Sequence, residues 1–223
     1  MFVVGKPALV IKDALIIADI HIGITRDFYE SGVSIPSQVR KMVKRIHELK
    51  KVTKSKRLIL LGDIKHKVPG ISWQETKEIP EFISLLNFEK IIIIKGNHDG
   101  QIEKMVEGIK NVQVKKSFSV GDYLLTHGHR NVKTQKSIVI GHNHPHIRFR
   151  DKLGALYTEP IWVRGNIGKK ELIIMPAFND LCGATIVNKD KFLGPIAKRI
   201  KNARAFLLDG TDIGLIKDLK IRY

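Results

Sequence analysis

Five short apolar segments, each rich in Ile, Leu and Val, limit the folds open to this chain more than any other feature of the sequence. Each has four to six residues, and such lengths and branched side chains indicate buried β-strands rather than helices. The segments lie at 14–18, 57–61, 90–95, 123–126 and 137–140. The chain is therefore expected to form sheets whose strands are buried on both faces.

Two helical regions separate the first three strands. In the region 37–51, apolar residues recur on one helix face: Val39, Met42, Val43, Ile46 and Leu49. Ser37 is its expected N-cap. The second region is 73–86, where Pro80 is expected to break or begin a helix. Alternation of strand and helix predicts βαβ units and a parallel or mixed sheet.

The pattern changes after about residue 111, where short strands follow one another closely. They are predicted at 112–114, 117–120, 123–127, 137–140, 146–150, 157–164, 170–175, 203–208 and 212–216. Residues 194–201 are expected to form a short helix or a loop. This spacing predicts a second, more antiparallel sheet. With no repeat or linker visible, residues 1–223 are expected to form one domain.

Polar residues follow the first five apolar segments directly. The stretches are Asp19-Ile20-His21, Gly62-Asp63, Gly96-Asn97-His98-Asp99, His127-Gly128-His129 and Gly141-His142-Asn143-His144. In α/β sheets, ligand sites form outside the carboxyl ends of the strands, and glycine there permits a sharp turn. The sequence therefore predicts one binding site built from five strand ends.

The residue types in these stretches indicate a metal site. The candidate ligands supply carboxylate, amide and imidazole groups: Asp19, His21, Asp63, Asn97, His127, His142 and His144. Such a set suits Mn²⁺, Fe²⁺ or Zn²⁺. Seven ligands exceed the needs of one tetrahedral ion and favour two ions that share a carboxylate. Two such metals clamp the attacking and leaving oxygens of a displacement at phosphorus.

These motifs, in this order, resemble those of the calcineurin-like metallophosphoesterases. The family pattern D-x-H, G-D, G-N-H-[DE], a single His and G-H-x-H stands here as "DIH" (19–21), "GD" (62–63), "GNHD" (96–99), His127 and "GHNH" (141–144). The stretches "IADIHIG", "GVSIP", "GDIKH" and "MPAFN" further resemble the ICC-like predicted phosphoesterases, a group that includes bacterial nucleases associated with DNA ligase and the DNA-damage response.

The resemblance implies an α/β four-layer sandwich of two mixed sheets flanked by helices. It assigns one metal to Asp19, His21, Asp63 and His144, and a second to Asp63, Asn97, His127 and His142, so that Asp63 bridges. Mn²⁺ is the expected metal, with Fe²⁺, Zn²⁺ or Ni²⁺ as alternatives. His98 is expected to stabilise or protonate the leaving oxygen, as an imidazole is suited to do near neutral pH.

The chain departs from the family at one position. Many members read G-D-x-x-D, in which the second Asp orients the histidine of G-N-H, whereas this chain has His66 there. We therefore expect either that Asp99 orients His98, or that His66 shares a proton or contacts substrate. His66, His98 and Asp99 are the candidate catalytic residues.

A net charge of +17 favours polyanionic partners. Nucleic acid is one interpretation, and a lysine-rich proteome, as in a thermophile, is the other. Basic residues concentrate in three groups: Arg40, Lys44 and Lys51; Arg148, Arg150, Lys152 and Arg164; and Lys198, Arg199, Lys201 and Arg204. No stacking motif of aromatic and basic residues is visible, so the sequence does not support the recognition of specific bases and leaves contact with the phosphate backbone open.

Smaller expectations concern residues beside the motifs. His129 either lines the pocket or lies in a solvated loop, His146 is expected to lie at the surface or to support the site without binding metal, and Asn143 is expected to be a turn residue. The segment 176–179 either packs under the site or shapes a substrate groove. The single cysteine, Cys182, excludes an intramolecular disulfide and is expected to be a small buried apolar residue.

The N-terminal segment is interrupted by charged residues and no apolar run approaches the length of a membrane span, so a soluble, cytoplasmic protein is expected. The first functional hypothesis is a metal-dependent phosphodiesterase acting on DNA or other nucleic acid, that is, a nuclease. The alternatives are a phosphomonoesterase acting on nucleotides or phosphoproteins, and a non-catalytic interaction scaffold. The intact ligand set argues against the scaffold. Oligomeric state is open.

Overall fold

The computed structural model describes residues 1–219, so the last four residues of the expected 1–223 domain lie outside the described residues. The chain folds into two mixed β-sheets with few helices, which confirms the predicted α/β class. The helices are α1 (Ile24–Glu30), α2 (Val39–Thr53), α3 (Trp73–Leu85), α4 (Ile102–Met105) and α5 (Gly194–Ala197). A 3₁₀ turn covers Ile216–Asp218.

The first sheet contains five strands in the order of the sequence. They are β1 (Leu9–Ile11), β2 (Ala14–Ala18), β3 (Arg57–Leu61), β4 (Lys90–Ile94) and β5 (Val112–Lys115). β1 and β2 form an antiparallel hairpin, whereas β2 to β5 are parallel and in register, with Ala18, Leu61 and Ile94 level at their carboxyl ends. Polar residues that follow β2, β3 and β4 therefore meet at one edge.

The second sheet contains nine strands, mostly antiparallel as predicted. They are β6 (Ser117–Val120), β7 (Tyr123–Thr126), β8 (Ser137–Ile140), β9 (Pro145–Arg150), β10 (Leu156–Ile167), β11 (Lys170–Ile174), β12 (Thr185–Ile186), β13 (Lys201–Leu207) and β14 (Asp212–Leu215). The strand β8 is parallel to both of its neighbours, β7 and β11. The carboxyl ends of β7 and β8 therefore lie side by side.

Three apolar cores separate four layers. Helices α2 and α3 cover one face of the first sheet through Met42, Ile46 and Phe82. The other face packs on the second sheet, where Ile59 and Ile92 meet Val139 and other residues. The outer face of the second sheet is covered by α5 and the 3₁₀ turn, so this fourth layer is thin.

Two expectations about the helices need correction. Gln38, not Ser37, is the N-cap of α2, although the Ser37 hydroxyl accepts a 3.3 Å hydrogen bond from the Val39 amide. Pro80 neither breaks nor begins a helix, since it lies inside α3. A proline there removes one backbone hydrogen bond. The capping box of Ser72 and Glu75 offsets that loss, as does the burial of apolar residues on the inner face of α3.

The strands that the sequence predicts are present, with ends that shift by up to three residues. Four short elements were not predicted, namely α1, α4, β1 and β12. Elements of two to seven residues show too little periodicity to be recognised in a sequence. Within residues 1–219, none of the helices combines the length and the apolar character that crossing a membrane requires.

Candidate metal centre

The polar strand ends of both sheets meet in one place. Asp19 follows β2 and Asp63 follows β3 in the first sheet, while His127 follows β7 and His142 follows β8 in the second. The His127 Nε2 atom lies 3.0 Å from Asp19 Oδ1 and 3.4 Å from Asp63 Oδ2. The His142 amide donates to the Asp19 carboxylate at 3.1 Å. Side chains from two sheets thus form a single cluster.

Glycine allows this close approach. A Cβ atom on Gly141 would lie 2.7 Å from Asp19 Oδ2, and one on Gly96 would lie 2.8 Å from Asp63 Cγ. Both positions leave no room for a side chain, because real Cβ contacts do not occur at such distances. The glycines of the motifs therefore let the carboxylate of one strand end reach the backbone of the next.

Five of the candidate ligands have left-handed backbone conformations. Their φ angles are 56° for Asp19, 46° for His21, 47° for Asp63, 69° for His142 and 40° for His144. Each such residue costs ~1–2 kcal/mol relative to ordinary backbone conformations. Strain of this kind concentrates at functional sites, where it aims side chains that regular strands would direct elsewhere.

A first donor group contains Asp19, His21 and Asp63, whose ligand atoms lie within 4.8 Å of one another. His144 reaches the same place, with its Nε2 atom 3.6 Å from Asp19 Oδ1. The Nε2 atoms of His21 and His144 are buried and have no hydrogen-bond partner in the described part of the chain. Buried polar atoms are nearly always paired, so these two nitrogen atoms are suited to bind a metal ion.

A second donor group contains Asp63, His127 and His142, again within 4.8 Å. Asp63 belongs to both groups, and it is the residue that the family resemblance assigns as the bridge between the two metals. His142 and His144 belong to different groups although one residue separates them. Asn97, the remaining predicted ligand, is exposed in the loop after β4.

The His21 ring is held by an outer pair of residues. His66 Nδ1 lies 3.2 Å from His21 Nδ1, and His66 Nε2 lies 2.9 Å from Asp27 Oδ2 in α1. The Asp27 carboxylate accepts a hydrogen bond from the N–H group at His66 Nε2, which makes His66 Nδ1 an acceptor and His21 Nδ1 its donor. This order leaves the His21 Nε2 lone pair free for a metal, as in carboxylate–histidine–metal arrangements.

The expected contact between Asp99 and His98 is wrong. The buried Asp99 carboxylate accepts hydrogen bonds from the amides of Ile64 at 2.7 Å, Lys65 at 3.2 Å and Gly96 at 2.8 Å. Ile64 and Lys65 follow β3, whereas Gly96 and Asp99 follow β4, so these hydrogen bonds fix the two loops to each other. The other alternative was that His66 shares a proton or contacts substrate, and the His66 ring is hydrogen-bonded to His21 and Asp27.

His98 is oriented by a backbone carbonyl. Its Nδ1 atom lies 2.5 Å from the His66 oxygen, which accepts only if Nδ1 carries the proton. The His98 Nε2 atom then faces the centre, 3.9 Å from Asp63 Oδ2, on a side chain that is one-quarter exposed. His98 is therefore accessible to a substrate and held in one orientation.

Three residues of the site were missed in the sequence. Asp27 orients His66 and carried no recognisable signal. The buried Glu75 carboxylate accepts from the amides of His66 at 2.8 Å and Lys67 at 2.6 Å. Its signal was the S-x-x-E pattern of a capping box in "SWQE" (72–75). The third, Cys182, lies beside His21 and His144, so it is not the apolar core residue that was expected.

The smaller expectations have clear outcomes. His129 lines the site, with its Nδ1 atom 3.1 Å from His127 Nδ1, and His146 Nδ1 contacts the His144 oxygen at 2.9 Å. Asn143 is more than a turn residue, since its buried Oδ1 accepts from the Leu193 amide at 2.8 Å. The segment 176–179 packs under the site, where the Phe178 amide donates to the Ala18 oxygen.

Burial and mutual contacts shift the pKa values of the aspartates and histidines in the centre. Burial raises the pKa of Asp63 to about 6 and lowers the pKa of His21 to about 2 and of His142 to about 4. Burial also acts to raise the pKa of Asp19, but His144 and His127 outweigh it and hold that pKa below its usual value. A cluster of two carboxylates and several neutral imidazoles presents lone pairs, which a divalent cation requires.

The donor set fits divalent metal. Two unpartnered imidazole nitrogens, two buried aspartates and a close approach enforced by glycine all point to one small volume. Carboxylate and imidazole donors suit first-row metals such as Mn²⁺, Fe²⁺ and Zn²⁺. The contacts do not select among these ions.

Comparisons with known proteins agree with these features. The sequence model of the calcineurin-like phosphoesterase family matches residues 13–181. The fold is similar to the crystal structure of Pseudomonas putida nuclease MPE, with a TM-score of 0.58 and 20% identity over 91% of this chain and 88% of that chain. A phosphoesterase from E. coli, Yfce, gives a TM-score of 0.44 and 14% identity, over 90% and 96% of the two chains. No curated protein matched the sequence.

The family match covers the five strand ends that carry the predicted ligands, from Asp19 to His144. It confirms the resemblance to the calcineurin-like phosphoesterases that the motifs indicated. The arrangement of two sheets with the donor cluster at their carboxyl edges agrees with the same assignment. The chain belongs to the calcineurin-like phosphoesterase family.

Proposed function

We propose that the protein is a phosphodiesterase that uses two divalent metal ions and acts on nucleic acid. The observation that carries the proposal is the pair of donor groups that share Asp63. Asp19, His21, Asp63 and His144 would hold one ion, and Asp63, Asn97, His127 and His142 the other. Asn97 would have to turn inward from its exposed position.

Two metals at such a site supply Lewis acidity to the attacking and leaving oxygens of a phosphoester. The chain itself supplies the proton chemistry. With the Nδ1 proton held by the His66 carbonyl, His98 presents Nε2 to the centre. In its imidazolium form, which carries a second proton on Nε2, it would donate that proton to the departing oxygen and remain a neutral imidazole. Asp27 and His66 keep His21 in the tautomer that binds metal.

A basic groove beside the centre favours a polymeric substrate. A cavity of about 520 Å³ extends from Gly96 and His129 of the site and is lined by Lys115, Lys116 and Arg130. These three cations are exposed, whereas Lys95 in the same groove pairs with Glu103 at 2.6 Å. A phosphate backbone that passes through the centre would place its next phosphates against this groove.

Other basic concentrations are less suited to this role. Arg164 pairs with Glu171, and Arg204 pairs with Asp212 at 2.8 Å, so both have acidic partners. Arg40, Lys44 and Lys51 lie on α2, which covers the opposite face of the first sheet from the second sheet. The groove at Lys115, Lys116 and Arg130, which we call the basic groove, is therefore the proposed path of the strand.

The experiment compares three substrates on metal-loaded protein: bis-p-nitrophenyl phosphate, p-nitrophenyl phosphate and single-stranded DNA. Replacing Lys115, Lys116 and Arg130 by Gln should lower kcat/KM for DNA about 10-fold or more. It should also reduce the slope of log kcat/KM against log salt by about 2, since each contact with single-stranded phosphate contributes about 0.7. The rate on the small diester should change little.

The matched control replaces Arg40, Lys44 and Lys51 by Gln, which removes the same charge from α2. This control should behave as the wild type on DNA. Equal losses in both variants would show that net charge, rather than the basic groove, guides the substrate. Faster hydrolysis of the monoester than of either diester would favour the phosphomonoesterase, and no turnover by fully loaded protein would favour the scaffold.

A further inference from the structure

The one cysteine of the chain lies at the metal centre. Cys182 Sγ, a ring nitrogen of His21 and a ring nitrogen of His144 lie within 4.8 Å of one another. None of the three apolar cores found among residues 1–219 includes Cys182. Its sulfur instead lies 3.7 Å from the carbonyl oxygen of Asp19. The surroundings of this thiol are therefore polar.

Each of the two imidazoles beside the sulfur has one ring nitrogen without a partner in the described part of the chain. His21 is 4% exposed, and its Nδ1 atom faces His66, which leaves Nε2 unpaired. The His144 Nδ1 atom faces the Gly183 oxygen at 3.0 Å, which again leaves Nε2 unpaired. Two imidazoles that each have an unpaired Nε2 atom lie beside the sulfur, and His144 Nε2 is 3.6 Å from Asp19 Oδ1, so these side chains form a donor set for a cation.

The segment that carries Cys182 is fixed to the strand end that carries the ligands. Asn179 Nδ2 donates to the Ile20 oxygen at 2.8 Å, and Asn179 Oδ1 accepts from the Leu181 amide at 3.0 Å. The Cys182 amide donates to the Asn179 oxygen at 3.2 Å. Because these bonds tie residues 179–182 to the loop of Asp19 and His21, the sulfur is held in position for the metal.

We propose that Cys182 is a further, thiolate ligand of the first metal, in addition to Asp19, His21, Asp63 and His144. The thiol proton passes to solvent when the metal binds. The inference rests on the metal site of the proposed function but not on its substrate. Because thiolate favours softer ions, Cys182 shifts the preference of this site from Mn²⁺ and Mg²⁺ towards Zn²⁺, Co²⁺ and Fe²⁺.

The test uses the electronic absorption of Co²⁺ bound to the full chain. A Co²⁺–thiolate bond gives a charge-transfer band in the near ultraviolet, and with one cysteine in the sequence such a band has a single possible source. We expect the band in wild-type protein and its loss in Cys182→Ser, with the bound Co²⁺ per chain unchanged. His98→Asn, which removes an imidazole beside the site, should retain the band.

The second measurement is the affinity for Zn²⁺ and Mn²⁺ in competition with a chelator. Cys182→Ser should weaken Zn²⁺ binding by roughly 10-fold or more and Mn²⁺ binding much less, because only the softer ion gains from sulfur. If Co²⁺ binds without a thiolate band, or if both affinities fall equally, the inference about Cys182 is wrong while the metal site stands. If no metal binds, the proposed function fails as well.

Discussion

In three histidines of this centre, a contact of the Nδ1 atom sets the orientation of the ring. The Nδ1 atom of His21 faces His66, that of His98 faces a carbonyl oxygen and that of His144 faces the Gly183 oxygen. In each ring, the Nε2 atom is therefore directed to the centre. The supporting groups choose the tautomer, so they influence metal binding without touching the metal.

The role of His98 makes a prediction at this scale. His98→Asn removes the only proton-donating group proposed for the leaving oxygen and should lower kcat about 10²- to 10⁴-fold. KM and the metal content should change little, and the loss should be larger for poorer leaving groups. These quantities come from steady-state kinetics on a series of aryl phosphodiesters and from metal analysis.

The control is His47→Asn, which changes a half-buried histidine on α2. It should have the kinetics of the wild type. A wild-type kcat in His98→Asn would exclude His98 as the proton donor, whatever its position.

The elements bring the ligands together through their ends rather than through their faces. Parallel, in-register strands β2, β3 and β4 deliver Asp19, Asp63 and the 96–99 loop to one edge. Asp99 then ties the loops after β3 and β4 through three backbone amides. Glycine at the turns lets neighbouring loops approach within contact distance.

The turn after β8 offers a test at the element scale. Gly141→Ala places a methyl group 2.7 Å from Asp19 Oδ2, so either the carboxylate or the loop of His142 must move. We expect metal affinity to fall by at least about 10-fold, since displacement of a ligand or its support has effects of this size. Titration with Mn²⁺ followed by calorimetry measures the change.

Gly100→Ala is the matched control, because a Cβ there meets nothing within 4 Å and the residue has no positive φ. Its metal affinity should equal that of the wild type. Equal affinities in all three proteins would mean that the packing of Gly141 against Asp19 is not needed for the site.

At the scale of the whole molecule, metal binding depends on how the two sheets pack, because neither sheet alone supplies the donor groups of both metals. The second donor group takes Asp63 from the first sheet and His127 and His142 from the second. A bound metal would therefore link the sheets, and the stability of the fold and the affinity for metal would be coupled.

This coupling predicts a pH dependence. Burial acts to lower the pKa of His127 and of His144, but Asp19 outweighs it and raises both. A raised histidine pKa stabilises the metal-free fold below about pH 6.5, the ordinary value, and this stability is lost as the pH rises through the raised value. Metal binding requires the deprotonated rings, so metal affinity should rise over the same window.

The measurement is Tm with Mn²⁺ and with EDTA at pH 6.5 and pH 8. The increase in Tm caused by metal should be larger at pH 8. The low pKa values of His21 and His142 keep both rings neutral in the fold at both pH values, so their titration in the unfolded chain affects the Tm with metal and the Tm with EDTA alike. An increase that is equal or smaller at pH 8 would contradict the assignment of His127 and His144 as ligands.

Much of the fold was predictable because its central strands are continuous apolar runs. The runs at 14–18, 57–61 and 137–140 are strands with those same ends, and helix α2 follows from the apolar spacing at 37–51. The predicted helix break at Pro80 and the predicted N-cap at Ser37 were wrong. Both predictions used single residues, whereas the ends of a helix also depend on capping and on burial against neighbouring elements. The short α1 was invisible for want of periodicity, and with it the position of Asp27.

The sequence alone determined which donor types stand at the strand ends, because a strand and the turn that follows it are local features. Only the tertiary structure decided the support of those donors. The bonds of Asp99 to Ile64, Asp27 to His66 and Cys182 to Asp19 join residues 35, 39 and 163 positions apart. Such contacts arise from the packing of distant segments, and no local pattern of residues encodes them.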